Sequence, residues 1–365
     1  MKALACCLGT ATCLAPLTVA ALQGVSHEPI RFDPLKGETV TIRYIQTSEG
    51  RVDLEIYDAR DLMIRSVEGP QQPAGAHEVE WDGRDQSGRP VPPEAYSYAL
   101  VETGSGGEQI RWDPADGAGA DLELAGLVWD PVSGQMAYRL AKPGRVRIRV
   151  GLQDDGPLLA TIVDWAAREA GAHREAWDGR DESGSLDLAK HPALTWTGEA
   201  FELPPNTVFA GSRTRYAAFI EDLPPSARRR DRERSGAHQM LDFARQDAQQ
   251  RRDFQVSLAL PPELPRTADG VPIVDAPVPV RLEVGEKALA HALNARSEAV
   301  FYVDGRFVFE RETGFLPMTW VWDPAGHAPG LHHLTANIRG YEGHFGVGTT
   351  PVWVSGASEA QGDQE

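Results

Sequence analysis

Aspartate carboxylates recur in a phrase that this chain carries twice. Residues 81–85 read Trp-Asp-Gly-Arg-Asp, the same five residue types return at 177–181, and each copy is followed by Ser-Gly. The carboxylates are oxygen ligands of the kind that calcium prefers, but a calcium loop of the helix-loop-helix type needs ligands at alternate positions and a closing Glu, which this spacing lacks. Asp also bonds backbone amides two residues onward, and Gly accepts positive φ. We therefore expect turns here and keep calcium as the alternative.

The predicted turn motif contains ten residues in its two copies. They are Trp81, Asp82, Gly83, Asp85, Gly88, Trp177, Asp178, Gly179, Asp181 and Gly184. We interpret them as structural rather than catalytic, because a bulky ring followed by turn residues is typical of the end of a strand.

Histidine offers a second metal chemistry. Five histidines lie near the C-terminus, namely His291, His327, His332, His333 and His344. No pair among them has the short spacing of a zinc ligand set. His332 stands in a Gly-x-His sequence that also occurs at His77 and His173, which favours a structural role for it. A metal site built from the other histidines remains the alternative.

Catalytic motifs are missing from the sequence. The chain has no His-Glu-x-x-His, no Gly-x-Ser-x-Gly, no phosphate-binding Gly-Lys-Ser/Thr loop and no haem-attachment motif. We predict no catalytic residue, no cofactor-binding residue, no cofactor and no bound metal. An unrecognised hydrolase is the alternative, and it would need a cleft with convergent carboxylates or histidines.

The repeat extends upstream of the phrase and defines the elements that carry it. Residues 32–37 and 129–134 each begin with an aromatic residue, Asp and Pro, and each ends with Gly. These two segments lie 97 residues apart, whereas the two copies of the phrase lie 96 residues apart. After each, apolar residues alternate with polar ones, which places one face of a strand in a core and the other in water. The sequence therefore predicts two copies of one β-domain.

A third β-unit follows near the C-terminus. Residues 299–308 contain two strand-like runs around Asp304-Gly305, a dipeptide that is a strong hairpin signal. Further strand patterns continue to Val354. The pattern indicates a third sandwich.

The first copy resembles the immunoglobulin-like module of the flagellar hook-capping protein. The resemblance is carried by residues 56–58, 74–77, 81–88 and 91–98. The first copy departs from that family at Glu94, where Gly is usual, and the second copy lacks the Val-Pro and Tyr-x-Tyr features. The C-terminal unit is similar to bacterial immunoglobulin-like repeats of adhesins and secreted enzymes. Both resemblances imply sandwiches without an active site.

These patterns predict an all-β chain of three immunoglobulin-like β-sandwiches in tandem, with a short helical linker before the third. The predicted ranges are 1–21 for a signal peptide, 22–115 and 116–225 for the first two sandwiches, 226–275 for an Arg-rich linker, 276–355 for the third sandwich and 356–365 for a polar tail.

The N-terminus predicts export. Lys2 precedes an apolar run that ends in small residues, so we expect signal cleavage near Ala21. All three cysteines lie within the first 13 residues, so a mature chain would carry no thiol. No later segment has the roughly 20 apolar residues of a transmembrane span.

Charge predicts the kind of partner. The net charge of −17 disfavours nucleic acid. Arg228, Arg229 and Arg230 begin an Arg-rich stretch, with a short helix expected over 236–252. This stretch is either a docking site for an acidic partner or a solvated linker helix, and we favour the linker because its arginines alternate with acids.

We expect an exported, non-catalytic structural or binding protein with a scaffold or adhesion role in the bacterial envelope or the extracellular space. Its expected partner is a protein of such an assembly, and a polysaccharide is possible. The alternative is an accessory carbohydrate-binding subunit of a secreted enzyme or polysaccharide system, because the chain carries nine tryptophans.

Overall fold

A computed structural model of the chain describes residues 22–114, 119–211, 254–285, 297–340 and 345–356. Apart from one short 3₁₀ helix, every regular element in these residues is a β-strand, which confirms the predicted all-β fold. Contacts between residues divide the chain into two compact units. The first unit holds the first copy of the repeat, and the second unit holds the second copy and the C-terminal sandwich.

The first unit is a sandwich of two sheets. Its elements in chain order are β1 (Leu22–Glu28), β2 (Arg31–Phe32), the 3₁₀ helix Pro34–Lys36, β3 (Val40–Gln46), β4 (Gly50–Tyr57), β5 (Met63–Val67), β6 (Gln71–Gln72), β7 (Gly75–Trp81), β8 (Glu94–Gly104) and β9 (Gln109–Trp112). One sheet has the order β1-β3-β7. The other has the order β2-β17-β8-β4-β5, where β17 is Thr207–Ala210, with β6 beside β4 and β9 beside β8.

Alternating residues of facing strands fill the first core. Val40, Ile42 and Tyr44 of β3 are buried, and the residues between them are more exposed. Trp81 ends β7. The centroid of its ring lies 5.4 Å from that of the Phe32 ring and 5.5 Å from that of the Tyr96 ring, and both pairs are edge to face. Such aromatic pairs stabilise a core beyond the area that they bury.

The second copy of the repeat is also a two-sheet sandwich. Its strands are β10 (Asp121–Leu122), β11 (Ala125–Asp130), β12 (Gln135–Leu140), β13 (Gly144–Leu152), β14 (Leu158–Arg168), β15 (Gly171–Ala176) and β16 (Leu194–Glu202). The sheets have the orders β11-β12-β15 and β10-β16-β13-β14.

Strand pairing is repeated between the two copies. Tyr44 of β3 pairs with His77 of β7, and Tyr138 of β12 pairs with His173 of β15. In the facing sheets β4 pairs with β8, as β13 pairs with β16. The predicted duplication is therefore a duplication of topology and register.

The C-terminal sandwich has its own core. Its strands are β18 (Phe254–Ala259), β19 (Ile273–Val274), β20 (Val278–Val284), β21 (Ser297–Val303), β22 (Arg306–Gly314), β23 (Met318–Trp322), β24 (Gly330–Gly340) and β25 (Phe345–Val354). They follow the order β22-β21-β24-β25-β18-β20-β23, with β19 beside β25. The expected hairpin joins β21 to β22, with φ of 50° at Asp304 and 77° at Gly305.

Some strands fall outside the ranges that the sequence suggested. β18 and β19 lie within 226–275, the predicted linker, yet both pair with β25. Val256 and Leu258 alternate with polar residues there, a strand signal that the neighbouring Arg-rich composition obscured. Val208–Ala210 follow the second sandwich in sequence but belong to the first unit.

Several predicted segments lie outside the described residues. They are the signal peptide 1–21, the helix 236–252 and all but the first residue of the polar tail. No helix in the described part of the chain has the length and apolar character needed to cross a membrane.

Candidate functional site

The repeated phrase forms a loop in each copy, here called the Trp-Asp-Gly loop (residues 81–91 and 177–188). The ring nitrogen of Trp81 donates to the Arg84 carbonyl over 2.9 Å, and that of Trp177 donates to the Arg180 carbonyl over 2.8 Å. The two side chains are buried, with exposed fractions of 1 % and 8 %. Each ring therefore anchors its loop to a core.

The first aspartate of each loop caps a backbone amide. Asp82 Oδ1 accepts from the Arg84 amide over 3.1 Å, and Asp178 Oδ1 accepts from the Arg180 amide over 2.9 Å. The intervening Gly83 has φ of 68°, and a Cβ there would lie 2.7 Å from the Phe32 ring. Both the turn and the close approach require glycine at this position.

The second aspartate of the first loop is saturated with hydrogen bonds. Asp85 is 2 % exposed. Its Oδ1 accepts from the amides of Ser87 and Arg89, each over 2.9 Å, and from the Ser87 hydroxyl. Its Oδ2 accepts from Arg89 Nε over 2.9 Å. The carboxylate thereby closes the loop on itself.

The second loop is longer and uses different donors. Asp181 accepts from the Leu186 amide over 2.6 Å, and from the Ser183 amide and hydroxyl. Its own amide bonds to the Leu186 carbonyl, whereas the amide of Asp85 bonds to that of Arg89. The carboxylate thus still accepts from two loop amides, although the loop is one residue longer.

An arginine clamps the far side of each loop. Arg84 Nη1 donates to the Gly88 carbonyl over 2.8 Å, and Arg180 Nη1 donates to the Gly184 carbonyl over 3.0 Å. Both glycines have positive φ, 81° and 71°. The whole predicted motif is thus held by bonds within its own loop.

A third loop of this kind was missed by the sequence reasoning. Arg266 Nη1 donates to the Gly270 carbonyl over 2.7 Å. The hydroxyl of Thr267 accepts from the Val271 amide over 3.1 Å, as Asp85 accepts from the amide of Arg89. The shared spacing Arg-x-x-x-Gly-x-Pro, at 84–90 and 266–272, is the signal that could have found it. A neutral hydroxyl fills the place of the carboxylate, so this position needs an acceptor rather than a charge.

The Gly-x-His sequences share one geometry in all three sandwiches. The Nε2 atoms of His77, His173 and His332 lie 2.8, 2.7 and 2.7 Å from the carbonyl oxygen four residues upstream. The glycines two residues before them, Gly75, Gly171 and Gly330, have φ of 148°, 127° and 137°. The ring therefore spans the start of a strand and binds the chain entering it.

The remaining C-terminal histidines do not converge. His332 Nδ1 lies 2.6 Å from Asp304 Oδ2, and its ring lies 5.5 Å from that of His327. Burial acts to lower the pKa of His332, but its bonds to the Ala328 carbonyl and to Asp304 raise that pKa above its usual range. Burial lowers the pKa of His333. His291 and His344 lie outside the described residues.

Other candidate sites divide between described and undescribed residues. Arg228, Arg229 and Arg230 lie outside the described residues. Within the described ranges, no three His, Cys, Asp or Glu side chains form a group able to hold a metal ion. Of the nine tryptophans, Trp353 is the exposed one, at 41 %.

The solved structures that match most of the chain do so at low identity and low TM-score. Fibronectin(III)-like modules of CbhA from Clostridium thermocellum share 11 % identity over 93 % of this chain and 99 % of that one, with a TM-score of 0.20. A structure from a 1.5-MDa bacterial ice-binding adhesin shares 12 % identity over 92 % of this chain and 98 % of that one, with a TM-score of 0.19.

The hook-capping type of module is also found among the comparisons. FlgD from P. aeruginosa shares 16 % identity over 38 % of this chain and 87 % of its own, with a TM-score of 0.21. No curated protein sequence matches the chain. Residues 32–106 match the family model of the FlgD Ig-like domain, so the first copy of the repeat carries the hook-capping type of immunoglobulin-like module.

Proposed function

We propose that this chain is an exported, non-catalytic scaffold or adhesion protein of the bacterial envelope or extracellular space. Immunoglobulin-like modules generally act as structural and binding units, and their function depends on the surfaces that they carry. The observation that most supports the proposal is a built junction between the two sandwiches of the second unit.

The side chain of Asn337 makes this junction. Its Nδ2 donates to the Leu158 carbonyl over 2.7 Å, and its Oδ1 accepts from the Leu158 amide over 2.8 Å. Asn337 lies on β24 of the C-terminal sandwich, and Leu158 begins β14 of the second copy. The Asn337 side chain thus bonds Leu158 as the backbone of a neighbouring strand would. It satisfies both the N–H and the carbonyl of Leu158.

Further contacts extend the junction. The guanidinium of Arg149 lies 4.5 Å from the ring centroid of Phe345, and both side chains are buried. A cavity of about 190 Å³ lies nearby, lined by residues of both sandwiches that include Leu152, His333 and Asp304. A cation held over a buried ring is a strong form of this contact. These contacts favour a fixed spacing of two binding modules over a flexible linkage.

The Trp-Asp-Gly loops support the non-catalytic part of the proposal. Their aspartates are occupied by amides, hydroxyls and an arginine of the same loop, as described above. We therefore propose that the ten motif residues are structural turns. The third loop, with Thr267 in place of an aspartate, supports this interpretation.

Export is proposed from the sequence alone. The proposal is based on the apolar run after Lys2, which ends in small residues near Ala21.

The experiment separates location from binding. We expect mass spectrometry of the protein from an envelope or medium fraction to find an N-terminus near Leu22. The mature protein, fixed as bait, should retain a protein partner from an envelope extract. An intact Met1 in the cytoplasm, or no retained partner, would contradict the proposal.

Two control baits locate the binding surface. Replacing Arg228, Arg229 and Arg230 by Ala tests the predicted docking stretch, and Trp353→Ala tests the exposed ring as a carbohydrate platform. Retention of isolated envelope polysaccharide that is lost only in Trp353→Ala would favour the accessory carbohydrate-binding function instead.

A further inference from the structure

A buried polar pair lies inside the first sandwich. Gln46 is the last residue of β3, and Glu102 lies near the end of β8 in the facing sheet. Their exposed fractions are 1 % and 3 %. Both continue an alternation whose preceding members, Tyr44 and Leu100, belong to the core, so they stand where the strand pattern places apolar side chains.

The oxygens of this pair are short of donors. Ser48 Oγ donates to Glu102 Oε1 over 3.4 Å. Glu102 Oε2 and both polar atoms of the Gln46 side chain, Oε1 and Nε2, are buried without a hydrogen-bond partner among the described residues. An ionised carboxylate only accepts, whereas a protonated one can donate from one oxygen. A proton on Glu102 would therefore remove the buried charge and let the carboxyl both donate and accept.

The second copy provides an internal comparison. Tyr44 and Tyr138 occupy the same register position, so Gln46 corresponds to Leu140, two residues further on. The pairing of β4 with β8 and of β13 with β16 makes Ala200 the equivalent of Glu102. Leu140 and Ala200 are buried and apolar. The same core position is therefore polar and ionisable in one copy only.

We propose that Gln46 and Glu102 form a buried proton-binding site that makes the first sandwich more stable in acid than at alkaline pH, a dependence that the second sandwich lacks. In acid, Glu102 is neutral and places no charge in the core. At higher pH the carboxylate ionises inside the core, where its charge is poorly solvated. The site adds a regulatory property that does not rest on the proposed function.

The surroundings of Glu102 shift its pKa in the direction that the proposal requires. Burial raises the pKa of Glu102, and the Glu108 carboxylate adds to this effect, while Ser48 and Gln46 act against it. The titratable groups facing Glu102 are Glu108, in the turn before β9, and Tyr44 on β3, whose own pKa is raised by burial and by Glu102. On β4 the neighbour of Glu102 is the apolar Val52.

The sign of the pH dependence follows from linkage. When the folded-state pKa of an acid lies above its unfolded value, the folded state binds the proton more tightly. Stability is then highest below the unfolded value, which is about 4.3 for Glu. It decreases as the pH rises through the folded value, by up to about tenfold in the folding constant per pH unit.

Hydrogen–deuterium exchange of the full mature chain tests the site, since it reads each sandwich separately. Protection of β3 and β8, corrected for intrinsic exchange rates, should decrease from pH 5 to pH 8 relative to β12 and β16. Glu102→Gln cannot ionise and should remove most of this difference, while the buried Asp58 carboxyl, whose pKa burial also raises, is unchanged in this variant. Gln46→Leu with Glu102→Ala installs the residues of the second copy and should do the same if the single variant folds poorly. Glu78→Gln, an exposed carboxylate of β7, should leave the dependence unchanged.

Three results would overturn the proposal. The first is an equal pH response of the two copies in the native chain. The second is a pH response of unchanged size in both Glu102 variants. The third is full protection of β3 and β8 at pH 8 on adding calcium, reversed by EDTA, since the pair would then bind a metal cation rather than a proton.

Discussion

The two copies of the repeat share their backbone devices and differ in the side chains that complete them. Both place a tyrosine beside the histidine of the Gly-x-His sequence, with ring centroids 6.0 Å apart in the first copy and 5.3 Å apart in the second. The hydroxyl of Tyr44 donates to Gln72, whereas that of Tyr138 donates to Glu175, which also binds Arg168. Strand register and loop closure are thus retained while their polar partners change.

The largest expected difference between the copies concerns their anchoring tryptophans. Trp81→Ala should destabilise the first copy by about 3–5 kcal/mol, because it removes a ring that is buried on all sides. Trp177→Ala should cost less, since that ring is more exposed and packs mainly on Trp129, at 4.6 Å. Denaturant unfolding followed by hydrogen exchange measures each copy. Equal losses would show that the two anchors are equivalent.

The next largest effect is expected at the second aspartate of the first Trp-Asp-Gly loop. Asp85→Ala leaves the amides of Ser87 and Arg89 without their acceptor and should cost about 2 kcal/mol in the free energy of unfolding. Asp85→Thr installs the residue type of the third loop and should recover part of that loss. The matched Asp82→Ala, at an exposed cap with one amide bond, should cost about 1 kcal/mol. If Asp82→Ala proved the more damaging variant, the assignment of the closing bond to Asp85 would be wrong.

The second copy contacts the C-terminal sandwich through Asn337. Asn337→Ala removes both bonds to Leu158 and should cost about 1–2 kcal/mol in the stability of the second unit. Protection of β14 from hydrogen exchange should decrease, and that of β3 in the first unit should not change. Asn337→Asp keeps an acceptor for the Leu158 amide but sets a carboxylate oxygen against the Leu158 carbonyl, so it should cost at least as much as Asn337→Ala. Unchanged protection of β14 would contradict the fixed junction.

The smallest expected effect is the same in both copies. His77→Ala and His173→Ala each remove one bond from a ring nitrogen to a carbonyl, and each should cost about 0.5–1.5 kcal/mol. Thermal melts of the two variants measure the losses. A loss several times larger in one copy would indicate a role for that histidine beyond binding the carbonyl.

Sequence patterns were sufficient for the local features. The alternation of Val40, Ile42 and Tyr44 predicts a half-buried strand. The repeated phrase predicts that a strand ends at the tryptophan of each copy. The Asp304-Gly305 dipeptide predicts the hairpin between β21 and β22. These features depend on neighbours in sequence, which is why composition and spacing reveal them.

Contacts between segments that are distant in sequence could not be predicted from such patterns. Asn337 meets Leu158 across 179 residues, and no periodicity marks that pair. Thr267 replaces an aspartate in a loop whose Trp-Asp-Gly start is missing, so a search for the phrase passes over it. Glu102 interrupts an apolar alternation, and its significance appears only when the register identifies Ala200 as its equivalent.

The central claim is that the duplicated aspartates hold backbone amides rather than a metal ion. Thermal melting of the protein beginning at Leu22, in millimolar calcium and then in EDTA, tests it most directly, because a ligand that binds the native state raises the melting temperature. We expect the unaltered protein to have the same melting temperature in calcium and in EDTA. Asp85→Ala and Asp181→Ala should each lower the melting temperature, by an amount that is the same in calcium as in EDTA. A rise of several degrees in calcium that EDTA reverses and both variants abolish would contradict the claim.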